Sequence, residues 1–488
     1  MSTITQTEEK PKKLSILFKL IYGSGDSGRA SFNTLRQIFY AIFLTDVVGL
    51  DARLASFAAL ISIVWDAVND PIVGALSDNV RTKWGRRRPF LLIFSVPFAL
   101  AFIMLWWAPP WESQAAIMIH ITLAYMISDT IQTLITVPYL ALTPEIAADY
   151  DERTSLTTYR MLWNLVASLL TAALSPAIID GMVANGSTLQ QAYLVVAAIY
   201  GGASILPFLL IFAVVREKEI PPVEEKNNSV SFKKTLLELW QNTPYKYATG
   251  IYVANWISFD IVALMLPYFF LYWVGEGNQL AKANLFGLEL GLETAGLGII
   301  FIVAIITLPL WDWLAKKYSK RKAYMVGIIL WMIIEALVLT IKQGQVTYMM
   351  TIAVFVGFFT SNAHVLPEAM FPDVIDWAEL KTCQRREGTY YGAIHFTRKL
   401  SSAFAVFLAL QILGWAGYTT PPTGALIVSQ PQSTLNAIRF LTGPMIILLL
   451  LVALGFTIKY PLTRERQHRI RRSLERRQKR EEQRRKKE

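Results

Sequence analysis

The sequence predicts an all-α membrane protein with twelve transmembrane helices in two six-helix bundles. Three observations predict it. Only 17% of the 488 residues are charged and 53% are hydrophobic, against about 25% charged in an average soluble chain. About a dozen mostly apolar stretches approach the ~20 residues that cross a ~30 Å hydrocarbon core. A segment rich in charge and proline, Arg216 to Tyr247, divides those stretches six and six.

The first segment, residues 1–26, is polar and lacks the apolar core and small-residue cleavage site of a secretory signal. The first bundle is expected over residues 27–215, with spans at 27–49, 53–77, 89–108, 116–142, 155–180 and 190–215. A cytoplasmic linker, 216–246, follows. The second bundle covers 247–460, with spans at 247–274, 285–314, 323–342, 347–371, 389–414 and 436–459. A weak internal echo, PIVGAL (71–76) and PLWDWL (309–314), precedes a basic turn in each half and fits a duplicated carrier architecture.

Charge placement sets the expected topology. The turns after spans two, eight and ten hold Arg81, Lys83, Arg86, Arg87 and Arg88; Lys316, Lys317, Lys320, Arg321 and Lys322; and Lys381, Arg385 and Arg386. The opposite connections, 106–113, 181–190 and 415–435, carry no lysine or arginine. The positive-inside rule then puts both termini in the cytoplasm, with the chain a multi-pass protein of the cell (inner) membrane. The tail, 461–488, holds thirteen Lys/Arg against five Glu and supplies +8 of the +11 net charge. A polybasic segment beside a membrane span is expected at anionic lipid headgroups rather than on nucleic acid.

Enzyme chemistry finds little support. One cysteine, Cys383, excludes an intrachain disulfide framework, and the four histidines lie far apart. The run Gly23-Ser-Gly25-Asp-Ser-Gly28 matches a dinucleotide fingerprint literally, but no strand–turn–helix unit surrounds it. Small residues at that spacing fit close helix packing instead. No catalytic residue and no cofactor are expected.

The informative segment is WDAVNDPIVGALSDNVRTKWGRRRPF (65–90). Asp66 and Asp70 stand four residues apart, on one face of a helix, with Asn69 close to that face. Two ionised acids repel and are poorly solvated in a low-dielectric span. A Na⁺ between them, or a proton on one, relieves the conflict. A buried arginine such as Arg36 or Arg160 relieves it equally.

WDAVNDP followed by WGRRRP resembles the signature of the glycoside–pentoside–hexuronide:cation symporters of the major facilitator superfamily, the melibiose permease type. TDVVGL (45–50), the Tyr22-Gly23 start, VPY (137–139) and the stretch from Asp373 through Arg386-Glu387-Gly388 to Lys399 fit the same pattern. The resemblance runs from about Tyr22 to Phe404. It implies a major facilitator fold and cation-coupled symport of a sugar or acidic glycoside by alternating access. It also implies that Asp66, Asn69, Asp70 and Thr133 hold the coupling ion, Na⁺, Li⁺ or H⁺. A metal role for Asp66 and Asp70 follows if that ion is sodium.

The substrate half departs from the family pattern. Ala30 and Thr136 stand where the family's sugar-binding acids are expected, and neither makes charge-assisted hydrogen bonds. Asp26, one turn before Ala30, is a possible replacement. Arg29, Arg160 and Lys399 match basic positions near the family's sugar pocket. Arg36 adds a charge within the first span, so the cavity is expected to be positive and the substrate anionic. The competing expectation pairs Arg36 and Arg160 with Asp129, Asp260 or the cation-site acids. Trp163 is a candidate for stacking on a sugar ring. Arg86, Arg87 and Arg88 are expected to pair with Glu145, Asp149 or Asp373 and so gate the cytoplasmic side. The expected partners are a small-molecule substrate, a monovalent cation and membrane lipid, with the protein acting as a monomer. Two alternatives stand beside this reading: a carrier of lysophospholipid or another amphiphile, and a non-transporting sensor or scaffold.

Overall fold

The computed structural model describes residues 14–147, 150–217, 239–285, 287–382, 387–422, 425 and 427–485. In the first bundle α1 (Ile16–Ile42) ends in a π-helical turn, Phe43–Val47. It is followed by α2 (Ala52–Asn79), α3 (Arg88–Leu105), α4 (Gln114–Ile146), α5 (Tyr150–Ala184) and α6 (Leu189–Val214). The second bundle begins with α7 (Thr243–Tyr268), which also ends in a π-turn, Phe269–Val274. A hairpin of β1 (Lys282–Leu285) and β2 (Leu288–Gly291) leads into α8 (Leu292–Lys317) and α9 (Lys320–Val338). Then come α10 (Val346–Val365), α11 (Phe371–Thr382), α12 (Glu387–Trp415), α13 (Gln432–Thr442) and α14 (Pro444–Lys459). A tail helix, α15 (Arg464–Arg485), closes the chain.

Ten of these segments, with α10–α11 and α13–α14 each taken as one, are long and apolar enough to cross a membrane. Helices α1 and α9 complete the twelve. They miss that threshold because Lys19, Asp26, Arg29 and Arg36 interrupt one, and Lys320, Arg321, Lys322 and Glu335 the other. Both fill their bundle's interior all the same: Tyr22, Leu35 and Phe39 of α1, and Tyr324, Ile328 and Trp331 of α9, are all but fully buried.

Span ends differ from expectation where polar residues are buried rather than solvated. The first helix starts at Ile16, not 27, so Tyr22 to Asp26 belong to the bundle. The eighth starts at Leu292, not 285, because Gly287 (φ 87°) turns the preceding residues into a hairpin. The glycines of the 23–28 run serve as contact points. A Cβ on Gly23 would lie 2.9 Å from Tyr159 O, and one on Gly28 2.6 Å from Ser204 Cβ. Helix α1 is thus held close against α5 and α6. Pro71 and Pro309, the echo's prolines, both sit inside helices, α2 and α8.

On one face lie the basic turns. There Glu217, just past α6, accepts the backbone N–H groups of Arg86 (2.6 Å), Arg87 (2.9 Å) and Arg88 (2.6 Å). A carboxylate at the start of α3 satisfies donors that the helix leaves open and meets the positive end of its dipole. Gly85 adopts φ 111°, and a Cβ there would come within 2.6 Å of the Glu217 carboxyl. The tail helix docks on the same face: Ile470 and Leu474 are buried, Gln467 donates to Asp373, and Arg471 approaches Asp376 at 3.6 Å.

On the opposite face the bundles join. Thr45 and Tyr268 share a hydrogen bond of 2.9 Å, Gln411 donates to Ser56 at 2.8 Å, and Asp46 accepts from Tyr272 and Tyr418. The two π-turns therefore meet across the seam, where widened helical turns re-aim Asp46 and Tyr272 at one another.

Gly85→Ala should cost about 1–3 kcal/mol from its left-handed backbone, and it also pushes the Glu217 cap away. Thermal melting in detergent measures this. Against a Glu217→Ala background the penalty should shrink, because the displaced carboxylate is then absent.

Candidate functional site

A file of charged side chains crosses the middle of the two bundles. Its centre is α2, where Asp66 and Asp70 project from one face one turn apart. Thr133 of α4 donates to Asp70 Oδ1 at 3.3 Å, and Asn69 is buried with its amide nitrogen lacking a hydrogen-bond partner among the described residues. The positive group between the acids is Lys399, from α12 of the other bundle. Its Nζ lies 2.7 Å from Asp66 Oδ1 and 2.6 Å from Asp70 Oδ2, and it also donates to Asp66 O at 3.2 Å. An ammonium has three N–H donors, and three acceptors face it here. Sequence reasoning put a free cation, a proton or a buried arginine at this point and Lys399 in the substrate pocket. In this conformation the lysine is the counter-charge, because α2 and α12 lie against each other.

The candidate substrate residues form a separate cluster in the first bundle. Asp26, fully buried, accepts from Arg29 Nε (2.8 Å) and Arg160 Nε (2.7 Å). Tyr22 and Tyr139 hydrogen-bond reciprocally to each other's backbone carbonyls, at 2.8 Å each, beside this trio. Arg36 donates to Asp129 at 3.0 Å and stacks over Tyr125 at 4.8 Å. Thr136 and Trp163 each bury a polar atom, the hydroxyl and the indole nitrogen, without a hydrogen-bond partner among the described residues. These groups have donor capacity to spare.

The expectation of a net-positive cavity needs correction. Arg29, Arg36, Arg160, Arg398 and Lys399 stand against Asp26, Asp66, Asp70, Asp129 and Asp260, with each cation paired to at least one acid. The pairing alternative describes Arg36 and Arg160 in this structure.

Sequence reasoning missed Arg398. It grips both oxygens of Asp260 (2.6 and 2.8 Å) and lies 4.0 Å over the Trp256 ring. Asp260 also accepts from Gln37 of the first bundle at 2.8 Å. An arginine inside an apolar span was the available signal, but Lys399 beside it drew the attention.

Among the described residues the expected gating side chains find partners within their own bundles. Arg86 (2.7 Å) and Arg87 (3.1 Å) meet Glu145, and Arg88 donates to Phe212 O, all in the first bundle. Asp373 pairs with Lys320 at 2.8 Å in the second rather than with the arginine turn. Asp149, like Cys383, Arg385 and Arg386, lies outside the described residues.

Asp260→Asn should destabilise the protein by about 3–5 kcal/mol, the cost of leaving a buried charge unpaired. Pairing it with Arg398→Gln should recover part of that loss in the same melting assay.

Residues 21–464 match the family described as MFS/sugar transport protein. An uncharacterized symporter of Synechocystis sp. is 29% identical, over 96% of this chain and 98% of its own. A sodium-dependent lysophosphatidylcholine symporter of Gallus gallus is 28% identical, over 96% of this chain and 90% of its own. Among solved structures, a bacterial homologue of the human peptide transporters PepT1 and PepT2 superposes with a TM-score of 0.63. It is 14% identical and covers 92% of this chain and 98% of its own. The inward-open xylose transporter XylE of E. coli gives 0.54 at 13% identity, over 92% and 95%. With twelve helices in two bundles and whole-length relatives that are symporters, the chain belongs to the MFS/sugar transport family, a multi-pass membrane transporter and not an enzyme.

Proposed function

We propose that the protein couples a monovalent cation, Na⁺ first among the candidates, to uptake of a substrate bearing an anionic group. The observation that carries this is Lys399 between Asp66 and Asp70. Two carboxylates, a hydroxyl and an amide are hard oxygen donors of the kind small alkali cations take. The lysine and the cation compete for the same two acids, so the arrival of one releases the other. A released Lys399 is an ammonium facing the cavity, close to charges that are otherwise balanced. It then offers a new site for a carboxylate or phosphate. Cation binding thereby raises substrate affinity, and substrate raises cation affinity by the same factor.

The basic turns mark the cytoplasmic side in this reading. The seam of Asp46, Tyr268, Tyr272 and Tyr418 holds the bundles together on the opposite side. Arg86–Arg88 and the basic tail then lie by the anionic inner leaflet. An acidic glycoside is the first substrate candidate. A lysophospholipid is the second, favoured by the absence of sugar-gripping acids at Ala30 and Thr136 and by the substrate named for the lysophosphatidylcholine symporters. The sensor reading is set aside, because the whole-length relatives are symporters.

Binding calorimetry on purified protein tests the competition. Lys399→Met should raise apparent Na⁺ affinity about tenfold or more, since a tethered competitor is removed, while substrate no longer enhances it. Unchanged Na⁺ affinity in this variant contradicts the reading. In proteoliposomes Asp66→Asn and Asp70→Asn should each abolish Na⁺-driven accumulation. Running the assay with a glucuronide and with lysophosphatidylcholine separates the two substrate candidates.

A further inference from the structure

A second group of acids lies where the bundles meet, on the face opposite the basic turns. A cavity of about 60 Å³, room for a handful of waters, is lined there by Asp46, Asp180 and Tyr193 of the first bundle. Asn278, Gln279 and Glu293 line it from the second. Asp46 is satisfied by the hydroxyls of Thr45, Tyr272 and Tyr418. Asp180 and Glu293 have no hydrogen-bonding or basic partner among the described residues.

A further feature points to a ligand. Tyr193, only 7% exposed, lines the cavity, and its hydroxyl has no hydrogen-bond partner among the described residues and lies within electrostatic reach of all three carboxyl groups. Asp180 Oδ2 packs so closely over Gly291 that a Cβ there would lie 2.0 Å away. Gly291 is the N-cap of α8, whose dipole favours an ionised carboxylate at that spot. Two carboxyl groups with no counter-charge among the described residues therefore line one cavity from opposite sides of the seam.

We propose that Asp180, Glu293 and Tyr193 form a second cation site, for a hydrated divalent ion that clamps the bundles together on this face. A divalent ion would balance both groups as carboxylates. Among the described residues no three acidic, histidine or cysteine side chains are close enough to enclose a bare ion. The ion consequently keeps part of its water shell, as Mg²⁺ does when held by one or two carboxylates. Because Asp180 and Glu293 belong to different bundles, the site is complete only while the seam is closed. Binding must then shift the population toward that state. The site shares no residue with Asp66, Asp70 or Lys399, so it stands or falls independently of the coupling-cation reading.

The test is pulsed electron resonance on the protein with Cys383→Ser, labelled at Asn185→Cys and Leu288→Cys on either side of the seam, in choline buffer free of Na⁺. Adding millimolar Mg²⁺ should increase the short-distance fraction at least twofold. Asp180→Asn/Glu293→Gln should abolish that response while leaving Na⁺ binding measured by calorimetry intact. No Mg²⁺ response in the parent protein, an equal response in the double variant, or closure by acidification alone would overturn the proposal.

Discussion

The structure turns on one ion triad, the Lys399 ammonium held between Asp66 and Asp70. Each partner alone is costly in a low-dielectric interior, and together they satisfy three N–H donors and two carboxylates. The triad also joins α2 of one bundle to α12 of the other, so a local charge pairing doubles as a bundle-to-bundle bond. In the proposed cycle that double role is the coupling device: a soluble cation that replaces the tethered one breaks a mechanical link at the same moment.

The rest of the seam supports this arrangement. From Gln37–Asp260 at mid-depth to Asp46 with Tyr272 and Tyr418, polar contacts cross between the bundles. Hydroxyls and amides exchange partners at little cost when water enters. Strong ion pairs such as Arg398–Asp260, Arg36–Asp129 and Arg160–Asp26 stay inside one bundle and keep each bundle rigid. Rigid halves joined by replaceable contacts are what rigid-body rocking requires.

Much of this was legible in the chain. Apolar run lengths and the basic turns give the twelve helices, and the four-residue spacing of Asp66 and Asp70 gives the acid pair. The glycines of 23–28 read correctly as packing contacts. What the chain hides is partnership across distance. Lys399 is 333 residues from Asp66, and no periodicity announces that they touch. Arg398 differs: its place inside an apolar span was legible, and only its pairing with Asp260 was hidden. The first span was set too short because buried polar residues such as Asp26 look like loop until Arg29 and Arg160 are seen to neutralise them. Glu217 capping α3 is likewise a contact that only folding creates.

The most direct measurement is a Na⁺ titration, in a Cys383→Ser background, of the distance between spin labels at Leu54→Cys on α2 and Trp415→Cys at the end of α12. If the lysine and the cation exclude each other, rising Na⁺ should lengthen this distance in the parent protein. With Lys399→Met the distance should already be long without Na⁺. A distance that ignores Na⁺ in both proteins would contradict the account.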